Sequence, residues 1–223
     1  ADRAVRLLGA TQPRTRRLPI IFDPLVTRSL LAIIGAALGG EGVTKGRSMF
    51  VGREGEPVAA PRITLVDDPT LPEAFGASPY DSEGVPTRRV DLIVDGVLRG
   101  FLHNVTTARR AGRATTGSAV RGGYASTPGT GARALALTPG TASPEEILAG
   151  AGEALYVQSV SGLHSGTNPV SGDFSVGVDG LMVRDGAFAE PVREVTIAST
   201  LPRMLQDVVQ VGADLTWLPG GAA

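Results

Sequence analysis

RRVDLIVDGVLRGFLHN, residues 88–104, decides the fold class. Apolar residues alternate on both sides of Asp95-Gly96. An Asp-Gly pair between two such runs predicts a two-residue type I′ hairpin, because both central residues need positive φ. LMVRDGAFAEPVREVTIA, residues 181–198, repeats the design around Asp185-Gly186. The sequences between the two do not match, so this echo is not read as a duplication. RITLVDD (62–68) and LPIIFD (18–23) read as further strands. Thirty glycines and 16 prolines among 223 residues suit many tight turns between them.

Helices are the minor element. Asp23 can cap a helix that opens on Pro24, where no amide hydrogen is needed. Leu30, Leu31, Ile33, Ile34, Ala37 and Leu38 then give a broad apolar face that stops at Gly39-Gly40. A helix apolar nearly all round predicts burial over about residues 24–38. Short helices are expected at 105–111, after Ser143 with Glu146 closing a capping box, and over 201–211. In the last, Met204, Leu205, Val208 and Val209 share one face. Residues 117–131 hold five glycines and read as a mobile surface loop. Residues 1–17 read as the end of an upstream helix and an Arg-rich linker, ahead of a domain over 18–223. The expected class is α+β: strand-rich, with mixed or antiparallel sheets, a buried helix near 24–38 and short peripheral helices.

Composition removes several functions. With 21 basic against 22 acidic side chains, no polyanion-binding surface is implied, which argues against direct nucleic-acid contact. Aromatic residues are 4% of the chain, too few for a base-stacking platform. The absence of cysteine excludes disulfides, thiolate catalysis and every Cys-containing metal site. The longest apolar stretch, Leu30 to Leu38, is too short to cross a bilayer. A soluble, cytoplasmic protein without a membrane contact or cofactor is the expectation.

GLHSGTNPVSGDFSVG, residues 162–177, is polar and turn-rich between two strand signals, a place for recognition. Its candidate recognition residues are His164, Ser165, Asn168 and Asp173. His164, Ser165 and Asp173 are the residue types of a hydrolase triad, but no GxSxG elbow surrounds Ser165. The plainer reading has glycines shaping turns while Asn168 and Asp173 hold backbone amides. Asp67-Asp68 and Asp81 with Glu83 offer carboxylates for a metal or for acid–base work. Prolines at 69, 72, 79 and 86 favour reading them as surface turns. His103, beside Asn104, suits a strand end or helix cap. Gly39, Gly40, Gly42, Lys45 and Gly46 lack the spacing of a phosphate loop. No catalytic residue and no metal ligand is assigned.

Several blocks carry a resemblance beyond this chemistry: IIFDP at 20–24, ITLVDDP at 63–69, SEGVPTRRVDLIVDGVL at 82–98, GLHSGTNPVSGDFSVGVDGLMV at 162–183, PVREVTIA at 191–198 and VGADLTWL at 211–218. In this order they resemble the C-terminal half of the TldD/PmbA family, also described as modulators of DNA gyrase. The resemblance implies a protein about twice this length, with a half preceding Ala1 and a short strand region after Ala223. It also implies two kinds of subunit. In the TldD-like kind, the helix after the FDP strand carries HExxxH, whose histidines bind zinc and whose glutamate activates water. The matching helix here reads LLAIIGAAL. Ala32 stands at the first histidine, Ile33 at the glutamate and Ala37 at the second histidine. The resemblance therefore implies a PmbA- or TldE-like subunit, inactive alone, that joins a TldD-like metallopeptidase and handles peptide substrates in maturation or small-protein degradation. The alternative is a homodimeric peptide-binding or regulatory protein without hydrolysis, the partner then being a homo-oligomer's second copy rather than a TldD-like subunit.

Overall fold

The computed structural model describes residues 2–218 and 221–222. Both Asp-Gly pairs turn as their sequence requires. Asp95 and Gly96 have φ of 50° and 79°, and Asp185 and Gly186 have 50° and 77°. The first pair joins β3 (Val90–Val94) to β4 (Val97–Leu98), with Val94 opposite Val97. The second joins β9 (Asp173–Arg184) to β10 (Ala187–Thr200), with Arg184 opposite Ala187.

Among the described residues the strands form two sheets and a ribbon. The four-stranded sheet runs β1 (Ile20–Phe22), β8 (Ala154–Ser161), β9, β10; β1 is parallel to β8 and the other pairs are antiparallel. The six-stranded sheet runs β11 (Trp217–Leu218), β12 (Gly221–Ala222), β7 (Leu135–Leu137), β2 (Leu65–Asp67), β3, β4. The ribbon pairs β5 (Ala119–Val120) with β6 (Gly129–Thr130). With short helices dispersed between them, this is the mixed α+β class that the patterning predicts.

One helix, α2 (Pro24–Ala37), serves both sheets. Asp23 caps it, its carboxylate accepting from Leu25 N at 3.0 Å, and Pro24 occupies the first turn. Val26 and Leu30 pack with Phe174, Val176 and Val178 of the four-stranded sheet. Leu31, Ile34, Ala37 and Leu38 pack with Leu65, Leu92, Ile93 and Leu135 of the six-stranded sheet. The helix is buried along most of its surface, as its apolar spacing predicts, and leaves one exposed stripe at Leu25, Ala32 and Ala36. The remaining helices are single short segments: α1 (Asp2–Val5), α3 (Gly40–Thr44), α4 (Val105–Arg110), α5 (Pro144–Gly150), α6 (Leu163–Gly166) and α7 (Leu201–Gln206). Asn104 caps α4 and Ser143 caps α5, each with a reciprocal capping box.

Three expectations need correction. The 117–131 segment is not a bare loop, because Ser118 and Ala119 are buried and β5 and β6 pair across its base. The last helix stops at Gln206, and Val209 is 74% exposed rather than on an apolar face. The carboxylates at 67, 68 and 81 do not lie on surface turns. All three are buried; Asp67 and Asp81 recruit backbone amides from distant parts of the chain, whereas Asp68 accepts from Thr70 two residues on.

Candidate functional site

The 162–172 segment is fixed by its own hydrogen bonds. Gly162, with φ of 75°, turns the chain out of β8 into the single turn of α6. Thr167 then bridges Phe174, and Asn168 N donates to Asp173 O at 2.9 Å. Asn168 Oδ1 accepts from Val170 N and Ser171 N at 2.9 and 3.3 Å, which closes an Asx turn. Ser171 Oγ donates to Asp173 Oδ2 at 2.6 Å. Two outside elements pin the segment: Met49 N donates to Pro169 O at 3.0 Å and Leu201 N to Gly172 O at 2.7 Å. Gly172 has φ of 80°, and a Cβ there would meet Pro202 Cδ at 2.6 Å, so α7 packs against bare backbone.

Three of the four recognition candidates lie in this segment and the fourth, Asp173, opens β9 directly after it; they play different parts. His164, Ser165, Asn168 and Asp173 are all exposed, but Asn168 spends its side-chain oxygen on the turn. Ser165 Oγ donates to Gly162 O at 3.3 Å and Asp173 is engaged by Ser171, so the segment does not link these groups through His164 as a triad would. What remains is a preorganised polar surface carrying an imidazole, a hydroxyl and a carboxylate. Sequence reasoning missed the turn at Met49 and the start of α7 as its supports. Both lie far away in the chain and carry no local signal.

The positions on α2 that the HExxxH comparison marks point in different directions. Ala32 faces outward, Ile33 is half-buried and Ala37 is 2% exposed within the core. None has a donor atom for a metal or a transferable proton, so these residues do not fit a catalytic zinc. Among the described residues no group of three or more His, Cys, Asp or Glu side chains is placed to hold a metal ion. At the head of α2, Asp23 is 4% exposed and its second oxygen accepts from Tyr156 Oη at 2.7 Å and from Arg3. Burial, then the bond to Asp23, pushes the Tyr156 phenol well above its ordinary range, so it stays protonated.

The remaining candidates are structural. Asp67 Oδ1 accepts from Arg133 N at 2.9 Å and Ala134 N at 2.6 Å. Asp81 accepts from Glu83 N, Val85 N and Ala119 N at 2.9–3.0 Å. His103 is buried at the end of the strand region, with Nδ1 3.2 Å from Thr107 Oγ1. Burial, with Arg113 adding to it, depresses its pKa. A cleft of about 460 Å³ lined by Pro69, Thr70, Ala77, Ser78, Pro79 and Thr87 contains no titratable group. No helix among the described residues is long and apolar enough to cross a membrane.

Comparison with known proteins places this geometry in context. The family profile described as the PmbA/TldA metallopeptidase C-terminal domain matches residues 15–223. The chain is 32% identical over 218 residues to the metalloprotease PmbA of Escherichia coli O157:H7, covering 96% of this chain and 46% of that protein. It is 30% identical to a metalloprotease of Methanothermobacter thermautotrophicus, at 96% and 46% coverage. Among solved structures, a candidate modulator of a DNA gyrase from Thermotoga maritima superimposes with a TM-score of 0.92 at 31% identity, covering 100% of this chain and 50% of that one. TldE from Thermococcus kodakarensis gives a TM-score of 0.88 at 26% identity, covering 98% and 49%. The chain thus spans about half the length of the relatives it matches.

Proposed function

Because the chain belongs to the PmbA/TldA metallopeptidase C-terminal domain family, we propose that it serves as the non-metal, TldE-like partner of a TldD-like metallopeptidase. In this role it supplies part of the surface that holds peptide substrates. The observation that carries the reading is α2. The helix that would present the zinc ligands and general base offers Ala32, Ile33 and Ala37 instead, and Ala37 is sealed in the core. A Cβ methyl neither binds zinc nor moves a proton, so hydrolysis requires a second subunit.

The 162–172 segment supports the peptide-holding part of the reading. Its backbone is held by several internal hydrogen bonds and pinned from two sides, so the exposed His164 and Ser165, with Asp173 at the start of β9, present polar groups with little backbone left to order on binding. The test is a peptide-cleavage assay with this protein alone, with a TldD-like subunit alone, and with both. Cleavage that rises when the two are combined, and falls when Asp173→Ala replaces the wild type, is the expected result. Cleavage by this protein alone that a chelator abolishes would overturn the assignment.

A further inference from the structure

The cleft of about 460 Å³ between Pro69 and Thr87 falls inside the range of about 300–1,000 Å³ usual for ligand sites. Its lining carries no charge, and every hydrogen-bond donor of the six lining residues is already spent. Thr70 N and Oγ1 donate to Asp68 Oδ1, Ala77 N to Ala74 O and Ser78 N to Pro69 O. Ser78 Oγ donates to Tyr80 O, Thr87 N to Pro79 O and Thr87 Oγ1 to Ser78 O. Pro69 and Pro79 have no N–H to offer. A carboxylate, phosphate or carbonyl entering here meets no free donor, and an ammonium meets no lining carboxylate. An uncharged apolar group has no hydrogen bond to lose by entering.

The walls are also braced. Asp81 accepts three amides, Tyr80 bridges Pro86, and Gly76 packs so closely that a Cβ there would lie 1.8 Å from Arg133 O. Beside the cleft stand exposed rings. Of the six Phe, three Tyr and one Trp, the most exposed are Tyr124 at 98%, Phe75 at 67% and Tyr80 at 56%. Phe75 and Tyr80 belong to the cleft's own segment. Tyr124 sits on the β5–β6 connection, whose base is tied to that segment by Ser82 N donating to Ala119 O at 3.1 Å. Exposed aromatic side chains grouped around a recess mark an interaction site.

We propose that this cleft holds an apolar side chain of an extended peptide, with Phe75 and Tyr80 packing on its neighbouring residues. A discrete recess with saturated walls fits a chain that presents side chains singly, and its preorganised backbone leaves little to order on binding. The proposal rests on the reading that this chain handles peptides. It adds to the polar 162–172 surface a second contact that selects uncharged, apolar sequence.

The experiment is heteronuclear NMR of the intact chain in chelator, titrated with two synthetic peptides blocked at both ends. One is Gly-Ser-Leu-Pro-Phe-Ser-Gly and the other its charged counterpart Gly-Ser-Lys-Pro-Glu-Ser-Gly. The amides of Thr70, Ala77, Ser78 and Thr87 should shift saturably with the apolar peptide and stay in place with the charged one. Ala77→Glu sets a carboxylate on the cleft wall and should weaken binding at least about tenfold. Phe75→Ala/Tyr80→Ala should weaken it about fivefold. Val209→Glu removes an exposed apolar side chain elsewhere and should leave it unchanged. All these positions are exposed, so circular dichroism should match the wild type and separate lost binding from misfolding. No saturable shift at the four amides, equal affinity for the charged peptide, or an Ala77→Glu variant that binds as tightly as the wild type would overturn the proposal. Shifts there that follow protein dilution or added phosphatidylcholine vesicles, and not the peptide, would assign the cleft to a second copy or to lipid and overturn it too. No cleavage is read, so failure here leaves the non-metal subunit reading standing. Chelator-sensitive cleavage by the lone chain would instead overturn that reading and leave the cleft's binding intact.

Discussion

Asp67 tests whether the buried carboxylates are structural. The residue is 1% exposed, and a single oxygen, Oδ1, accepts the amides of Arg133 and Ala134 at 2.9 and 2.6 Å. Asp67→Ala orphans both buried donors. At about 1–3 kcal/mol for each, the loss is expected at about 2–6 kcal/mol. Asp67→Asn keeps a carbonyl oxygen with two lone pairs in that place and removes a desolvated charge. That variant should stay within about 1 kcal/mol of the wild type at neutral pH. Burial raises the carboxyl above its ordinary 3.8, with the amides of Ala134 and Arg133 opposing the shift. The folded state thus holds this proton more tightly than the unfolded chain does. The group's contribution is most favourable below pH 3.8 and declines as pH rises through the raised value. The wild type should therefore gain on Asp67→Asn as pH falls from neutral. Urea unfolding of the three proteins at several pH values measures all of this. An alanine variant costing under about 1 kcal/mol, or an asparagine variant as costly as alanine, would refute the reasoning.

Three further outcomes follow from packing and exposure. Leu31→Ala, in the core between α2 and the six-stranded sheet, should cost about 2–5 kcal/mol in chemical denaturation. Gly40→Ala would drive a Cβ into the His103 ring and to 2.8 Å from Leu102 O, and a loss of about 1–3 kcal/mol is expected in the same assay. Asp173→Ala lies on an exposed surface and should leave stability within about 0.5 kcal/mol of the wild type. Calorimetric affinity for a cleavable peptide, measured with the TldD-like subunit present, should nevertheless drop by about tenfold or more.

Legibility followed the range of the interaction. The Asp-Gly hairpins, the Asp23-Pro24 start of α2 and the Ser143–Glu146 capping box could be read because their causes lie within four residues. The apolar spacing of α2 also gave its core residues, but not its division between two sheets, since Val26 and Leu30 turn one way and Leu31 and Ile34 the other. Asp67 and Asp81 were misread because their partners at 133, 134 and 119 are brought close only by the sheet and the ribbon. Val209 looked helical by period, yet the chain leaves α7 at Gln206. At the candidate site, the glycines and Asn168 announced turns. The anchoring contacts from Met49 and Leu201 had no signature in the local sequence.

The central claim is that this chain carries no catalytic metal of its own, and zinc titration tests it most directly. The full chain is stripped with chelator, and zinc binding is followed by calorimetry with the metal content of the dialysed protein measured in parallel. Ala32, Ile33 and Ala37 predict no stoichiometric tight binding by this chain and one site per TldD-like subunit in the reconstituted pair. One tightly bound zinc per copy of this chain, accompanied by chelator-sensitive peptide cleavage in the absence of any partner, would contradict the account.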